Sequence, residues 1–154
     1  MSIERDDIIT TLVSRITNHA DDPMVSRDWK KRATLEHFPT VFVVPRQDDV
    51  IKTIGLRPHR CIRNWHISVI SFVEGVDGET APDHLESFQD EVRRVIYEDE
   101  HRRIGSYGAG IREVATSQVV FPPTGNNVVA QEIIFLVDYV EDTGKLTTPA
   151  SPTD

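Results

Sequence analysis

Arg63-Asn64-Trp65-His66-Ile67-Ser68-Val69-Ile70-Ser71-Phe72-Val73 decides the fold, together with the turn Glu74-Gly75-Val76-Asp77-Gly78 and the run Thr80-Ala81-Pro82-Asp83 that follow it. Alternate positions of the first stretch put Trp65, Ile67, Val69 and Val73 on one face, and Ile70 and Phe72 make the other face apolar toward its end. This is the pattern of a strand buried on both sides for half its length. The glycine-containing turn breaks it, and Thr80, Pro82 and Asp83 then supply a cap hydroxyl, an early proline and an acidic first turn. A helix is predicted over 83–100, with Leu85, Phe88, Val92, Val95 and Ile96 as its apolar stripe and Glu86, Asp90, Glu91, Arg94, Glu98 and Asp99 around the rest. Its obvious partner is the strand before it.

The chain has 154 residues, 38% of them hydrophobic and 27% charged, which is the size and balance of one globular domain. No apolar run approaches the ~18 residues of a membrane span, so no membrane association is expected. Met1 to Asp7 lacks the basic and apolar regions of a secretory signal, and the single cysteine, Cys61, cannot form an intramolecular disulfide. A reducing compartment is the expectation. The net charge of -8 argues against a protein that grips nucleic acid by its phosphates, because that requires a surplus of Lys and Arg on some face. It leaves room for a protein past which nucleic acid merely moves.

Upstream, Ile8, Ile9, Leu12, Val13 and Ile16 form the stripe of an N-terminal helix capped by Ser2, and 18–23 ends it. Residues 24–37 carry the basic cluster Arg27, Lys30, Lys31 and Arg32 around Trp29 and have no clear period. They read as a connector, and the cluster as either a solvated stretch or a patch for a partner or nucleic acid. Phe38-Pro39-Thr40-Val41-Phe42-Val43-Val44-Pro45 is a short strand bounded by prolines. Arg46 to Arg60 then turns polar around Val50, Ile51, Ile54 and Leu56, which predicts a long excursion between strands.

Downstream of the second helix, Gly105-Ser106-Tyr107-Gly108-Ala109-Gly110 predicts an irregular segment. A hairpin follows, its strands at 111–121 and 128–140, the second the longest strand of the chain. In that strand Val129, Ile133, Phe135, Val137 and Tyr139 share the core face, with Ile134 and Leu136 opposite. The fold class is therefore α+β, one domain over 1–141 with a mixed, mainly antiparallel sheet of about four strands covered by two helices, and a flexible tail over 142–154. The expected core comprises Val69, Ile70, Phe72, Phe88, Val92, Ile96, Phe135 and Val137.

Reactive chemistry is sparse. The six histidines, at 19, 37, 59, 66, 84 and 101, lack the spacing of a metal site, and His59, Cys61 and His66 come nearest to a cluster. Gly105, Gly108 and Gly110 follow a helix and not a strand, contrary to a dinucleotide-binding loop. There is no nucleophile elbow and no phosphate-loop lysine. No catalytic residue, metal or cofactor is assigned.

The order of these elements, from the helix at the N-terminus through Phe38-Pro39-Thr40-Val41-Phe42-Val43-Val44, the polar excursion, Trp65-His66-Ile67-Ser68-Val69-Ile70 and the helix at 83–100 to Ile133-Ile134-Phe135-Leu136-Val137-Asp138-Tyr139, resembles that of the tail-terminator, or tail-completion, proteins of long-tailed bacteriophages. The resemblance covers about residues 3–141 and rests on architecture, without a diagnostic motif. It implies a non-enzymatic virion protein, assembled in the host cytoplasm, that forms a homohexameric ring on the head-proximal end of the tail tube. Such a ring stops tube growth and joins the tube protein to the head connector, with DNA crossing its lumen and the sheath, where one exists, as a further partner. No individual residue role is carried over.

A ring subunit needs dissimilar faces and loops that reach its neighbours. Candidate interface residues are Arg46, Asp48, Asp49, Val50, Ile51, Ile54, Leu56 and Arg57 in the excursion, and Phe121 and Asn126 in the hairpin turn. Glu86, Asp90, Glu91, Glu98 and Asp99 are candidates for the lumen, although an outward solvated face accounts for the same residues. Two alternatives remain open at this level. One is a different neck or head-tail joining protein; the other is a small-molecule-binding α+β domain, or an enzyme whose site assembles between subunits.

Overall fold

The computed structural model describes residues 2–34, 37–56, 59–75, 80–98, 102–120 and 127–142. Helix α1 (Ile3–Thr17) starts where the extended Ser2 accepts the Arg5 N–H on its hydroxyl, and it buries Ile8, Ile9, Leu12 and Ile16. Helix α2 (Ala81–Ile96) starts on the Thr80 hydroxyl, which accepts the Asp83 N–H, with Pro82 in the first turn. It stops at Ile96, short of the expected residue 100. Beyond Ile96 only Tyr97 still packs against the core and 98–101 are all polar, so a helix gains little from extending.

Six strands form one sheet: β1 (Met24–Ser26), β2 (Thr40–Leu56), β3 (His59–Glu74), β4 (Arg103–Ile104), β5 (Ala109–Thr116) and β6 (Val128–Asp142), in the order β1-β2-β3-β6-β5-β4. β1 is parallel to β2 and every other pair is antiparallel. The four long strands are those expected. The two extra ones, three and two residues long, are too short to leave a periodic signal and lie at the sheet edges.

Two expectations need larger correction. Residues 46–60 are not an excursion, because β2 continues through them to Leu56 and β3 starts at His59. Register shifts between Pro45 and Asp48, Val50 and Lys52, and Thr53 and Gly55 insert extra residues, and each insertion reverses the in-and-out alternation that marks a strand. At 17 residues β2, and not β6 with 15, is the longest strand. The glycine segment, expected to be irregular, is the tight turn joining β4 to β5. A Cβ at Gly105, whose φ is 78°, would lie 2.2 Å from the Asp7 carboxylate, which itself accepts the Ser106 N–H at 2.6 Å.

Both helices pack on one face of the sheet. Their stripes meet Val41, Val43, Trp65, Ile67, Val69, Val73, Ile133, Phe135 and Val137 in the main core. All eight expected core residues are buried, Phe88 and Phe135 to 1% and 0% exposure, so the register read from the sequence holds. Ile70 and Phe72, however, belong to a second cluster on the opposite face with Phe42 and Ala130. The connector covers it: a 3-10 turn at Trp29–Thr34 sets the Trp29 ring edge-on to Phe42 at 5.1 Å, and Phe38 packs alongside.

Candidate functional site

Strand and helix lengths locate the surface that the fold leaves uncovered. β2, β3 and β6 have 17, 16 and 15 residues and the helices 15 and 16. At ~3.3 Å per strand residue and ~1.5 Å per helical residue, the strands run roughly 50 Å and the helices roughly 23 Å. Helices of that length fall short of the longest strands, although α1 reaches the end of β6, where Glu4 accepts the Asp142 N–H at 3.3 Å. What overhangs is the outer part of β2 beyond Asp48, which stays paired with the start of β3 through Leu56↔His59.

A charged network marks the boundary between the two halves. Arg5, in the first turn of α1, places its guanidinium 2.6 Å from Asp48 of β2 and donates through Nε to the Tyr139 hydroxyl at 2.8 Å. That hydroxyl donates to Asp48 at 2.8 Å. Arg63 of β3 pairs with Glu141 at 3.2 Å and reaches Asp48 at 3.5 Å, and Glu141 lies 3.6 Å from Arg5. Trp65 sits beneath Arg5, ring centroid to guanidinium carbon 5.8 Å. Burial pushes the Tyr139 phenol well above its ordinary value, and its bond to Asp48 adds to the shift. Five side chains from α1, β2, β3 and β6 are thereby tied together, and the direction in which the overhang leaves the domain is fixed.

Beyond Asp48 the outer strand is apolar and open. Val50, Ile51 and Ile54 are 51%, 56% and 43% exposed, and Ile51 and Ile54 are inserted at two of the register shifts, where they have no partner on β3. Nothing within the domain covers them among the described residues. Asp49 accepts from the Gln47 amide, while Arg46 bonds to the Ser68 hydroxyl at 2.8 Å and Glu132 at 2.7 Å on the face opposite the helices. Leu56 closes β2 opposite His59. Of the other expected interface residues, Arg57, Phe121 and Asn126 lie outside the described residues, as do 143–154 of the expected tail.

Among the expected lumen residues, Glu86 and Asp90 are exposed on α2 and Glu98 is exposed just beyond its end; Asp99 lies outside the described residues. Glu91 pairs with Arg94, Asp90 with Arg93 at 3.4 Å, and Glu98 with Arg15 at 3.6 Å. Arg93 also takes both oxygens of Glu113, at 2.9 and 3.1 Å, and these bonds hold the Glu113 carboxyl below the usual carboxylate range.

The sequence reading named Asp48 but missed its partners Arg5, Arg63 and Tyr139, and missed Glu141 as the second carboxylate of the network. A signal was present: Arg63 and Glu141 occupy the same parity as Trp65-Ile67-Val69 and Phe135-Val137-Tyr139, so each core face ends in a charge. Cys61 is fully buried near the start of β3, between Thr53 and Glu141 of the flanking strands. His19 and His84 are engaged in joining α1 to α2, through Phe88 O at 3.0 Å and Asp21 at 3.2 Å respectively. Among the described residues no three His, Cys, Asp or Glu side chains converge as metal ligands, and no helix is long and apolar enough to cross a membrane. No family model and no curated protein matches the chain.

Proposed function

We propose that the protein is a structural ring subunit of the tail-terminator type, which closes the head-proximal end of a phage tail tube as a homohexamer and joins it to the head connector while DNA passes through. The observation that carries this reading is the overhang: the outer part of β2 runs on past the Asp48 network that ties it to α1, β3 and β6, and presents Val50, Ile51 and Ile54 to solvent. A cluster of branched apolar side chains on a rigid extension is suited to burial against another protein surface. The order of helices and long strands supports the family resemblance, with 46–60 as strand in place of the excursion, and a charge of -8 per subunit lets phosphates pass by repulsion, screened beyond roughly 8 Å at physiological salt.

On this reading Val50, Ile51 and Ile54 enter the contact with the neighbouring subunit or with the tube. The acidic and neutral side chains of the ring's inner surface leave duplex DNA unbound.

The test is a tube-assembly reaction with a phage tail-tube protein. Added protein is expected to cap one end and shorten the distribution of tube lengths seen by electron microscopy, and deletion of residues 48–56 to abolish the effect. Tubes of unchanged length in the presence of the intact protein would refute the assignment. Submicromolar duplex affinity, lost steeply with added salt, would replace it with a nucleic-acid-binding function.

A further inference from the structure

Two charged features lie away from the overhang, and neither is satisfied within the subunit. One is a groove of about 450 Å³ between α2 and the chain around Val119 and Gln131, with Pro82, Leu85 and Val119 among its apolar walls. Asp83, Glu86 and Asp90 stand along it. Its single cation, Arg93, is committed to Glu113 and shared with Asp90, so it leaves the groove short of positive charge. Glu86 is exposed and makes no ion pair among the described residues.

The other is the 3-10 turn. Arg27, Lys30 and Lys31 are all exposed and form no ion pair among the described residues, and the only carboxylate in their midst is Asp28, which accepts the Lys30 N–H. The turn is anchored, since Trp29 packs edge-on to Phe42 and lies 6.2 Å from Phe72. Its cations are therefore displayed from a fixed base, which lowers the ordering cost of a contact. The turn sits on the sheet face opposite the helices and the groove on the helix face, so no single subunit can bring them together.

We propose that the Arg27–Lys31 turn of one copy docks into the α2 groove of a second copy, Lys30 and Lys31 meeting Glu86 and Asp90. The two patches are different, so the contact is heterologous and each copy keeps one groove and one turn free for the next; a constant rotation closes such a chain into a ring. The inference deepens the ring reading by naming the faces that neighbours share. It also assigns Glu86 and Asp90 to the subunit contact and takes them out of the lumen.

Charge reversal tests it. Lys30→Glu with Lys31→Glu leaves two acidic patches, and Glu86→Lys with Asp90→Lys leaves two basic ones. All four positions are exposed, and unchanged thermal melts would confirm folding. Sedimentation of the wild-type chain at low salt is expected to show self-association that weakens as salt rises, and each variant alone to associate at least about tenfold more weakly, like charges then facing each other. Mixed one to one, the variants should reassemble in equal proportion, because every groove again meets a turn of opposite sign.

If both variants associate as the wild type does, the pairing is wrong while the ring reading stands. A wild-type chain that stays monomeric in low salt would likewise overturn the pairing, whereas the ring reading is decided separately on tail tubes. Binding of the wild type to duplex DNA that Lys30→Glu with Lys31→Glu removes would overturn it in favour of a phosphate contact.

Discussion

The two halves of the sheet use the same strands for opposite purposes. In the helix-covered half, β3 is buried on both faces from Ile67 to Val73, with Phe88 and Phe135 enclosed between helix and strand. In the overhang β2 runs on past Arg5 at the start of α1 and exposes Val50, Ile51 and Ile54. The difference shows that an apolar residue in a strand has two fates. Covered, it stabilises the fold; uncovered and rigidly held, it is available to a partner.

The largest expected effect falls in the covered half. Phe88→Ala should cost about 3 to 5 kcal/mol in urea unfolding, through lost transfer energy and the cavity left behind. A cost below about 1 kcal/mol would mean that the helix face is not the core.

How much of this was legible depends on the period. Where alternation runs unbroken, as from Trp65 to Val73 and from Val129 to Tyr139, strand, face and core membership could all be read. Where β2 carries three register shifts, each inserted residue reverses the face, and a 17-residue strand looks like a short strand followed by a loop. The candidate interface was legible only as an oddity, apolar residues in a polar stretch. The network behind it left only the charges Arg63 and Glu141 at the ends of two apolar faces, because the packing that brings Arg5 and Asp48 to them is recorded by no local pattern.

A second prediction concerns the border between the halves. Asp48→Ala leaves Arg5, Arg63 and the Tyr139 hydroxyl short of an acceptor and should cost about 1.5 to 3 kcal/mol, as loss of a charged hydrogen-bond partner does. Amide hydrogen exchange should quicken in residues 49–55 much more than in 67–73. Equal acceleration in both segments would erase the distinction between them.

The third effect is smaller and depends on pH. The Glu113 carboxyl is held low by Arg93, so the folded state binds its proton more weakly than the unfolded chain does. The resulting stability is fully present above the unfolded value of ~4.3 and is lost as pH falls through the depressed folded one. Glu113→Gln should therefore flatten the acid limb of the stability curve while leaving the overhang's exchange rates unchanged. An acid limb of unaltered steepness would show that the pair with Arg93 contributes nothing in solution.

Least affected in stability should be the overhang's apolar residues. Ile51→Ser with Ile54→Ser is expected to move the unfolding free energy by less than about 0.5 kcal/mol, as exposed substitutions do. The same protein should fail to cap tubes. Loss of stability comparable to Phe88→Ala would place these residues in the fold's own core, and full capping would remove them from the interface.

The pairing of β3 with β6 also has a consequence for synthesis. Glu74 lies opposite Val128 and Arg60 opposite Asp142, so the middle of the sheet joins segments that leave the ribosome far apart in time. Such non-local pairing must close a long loop before its contacts form, which slows folding. Until β6 emerges, β3 has one of its two neighbours missing and that edge unpaired. The nascent chain therefore acquires its central ladder only once β6 has emerged, and until then the unpaired edge of β3 is open to misassociation.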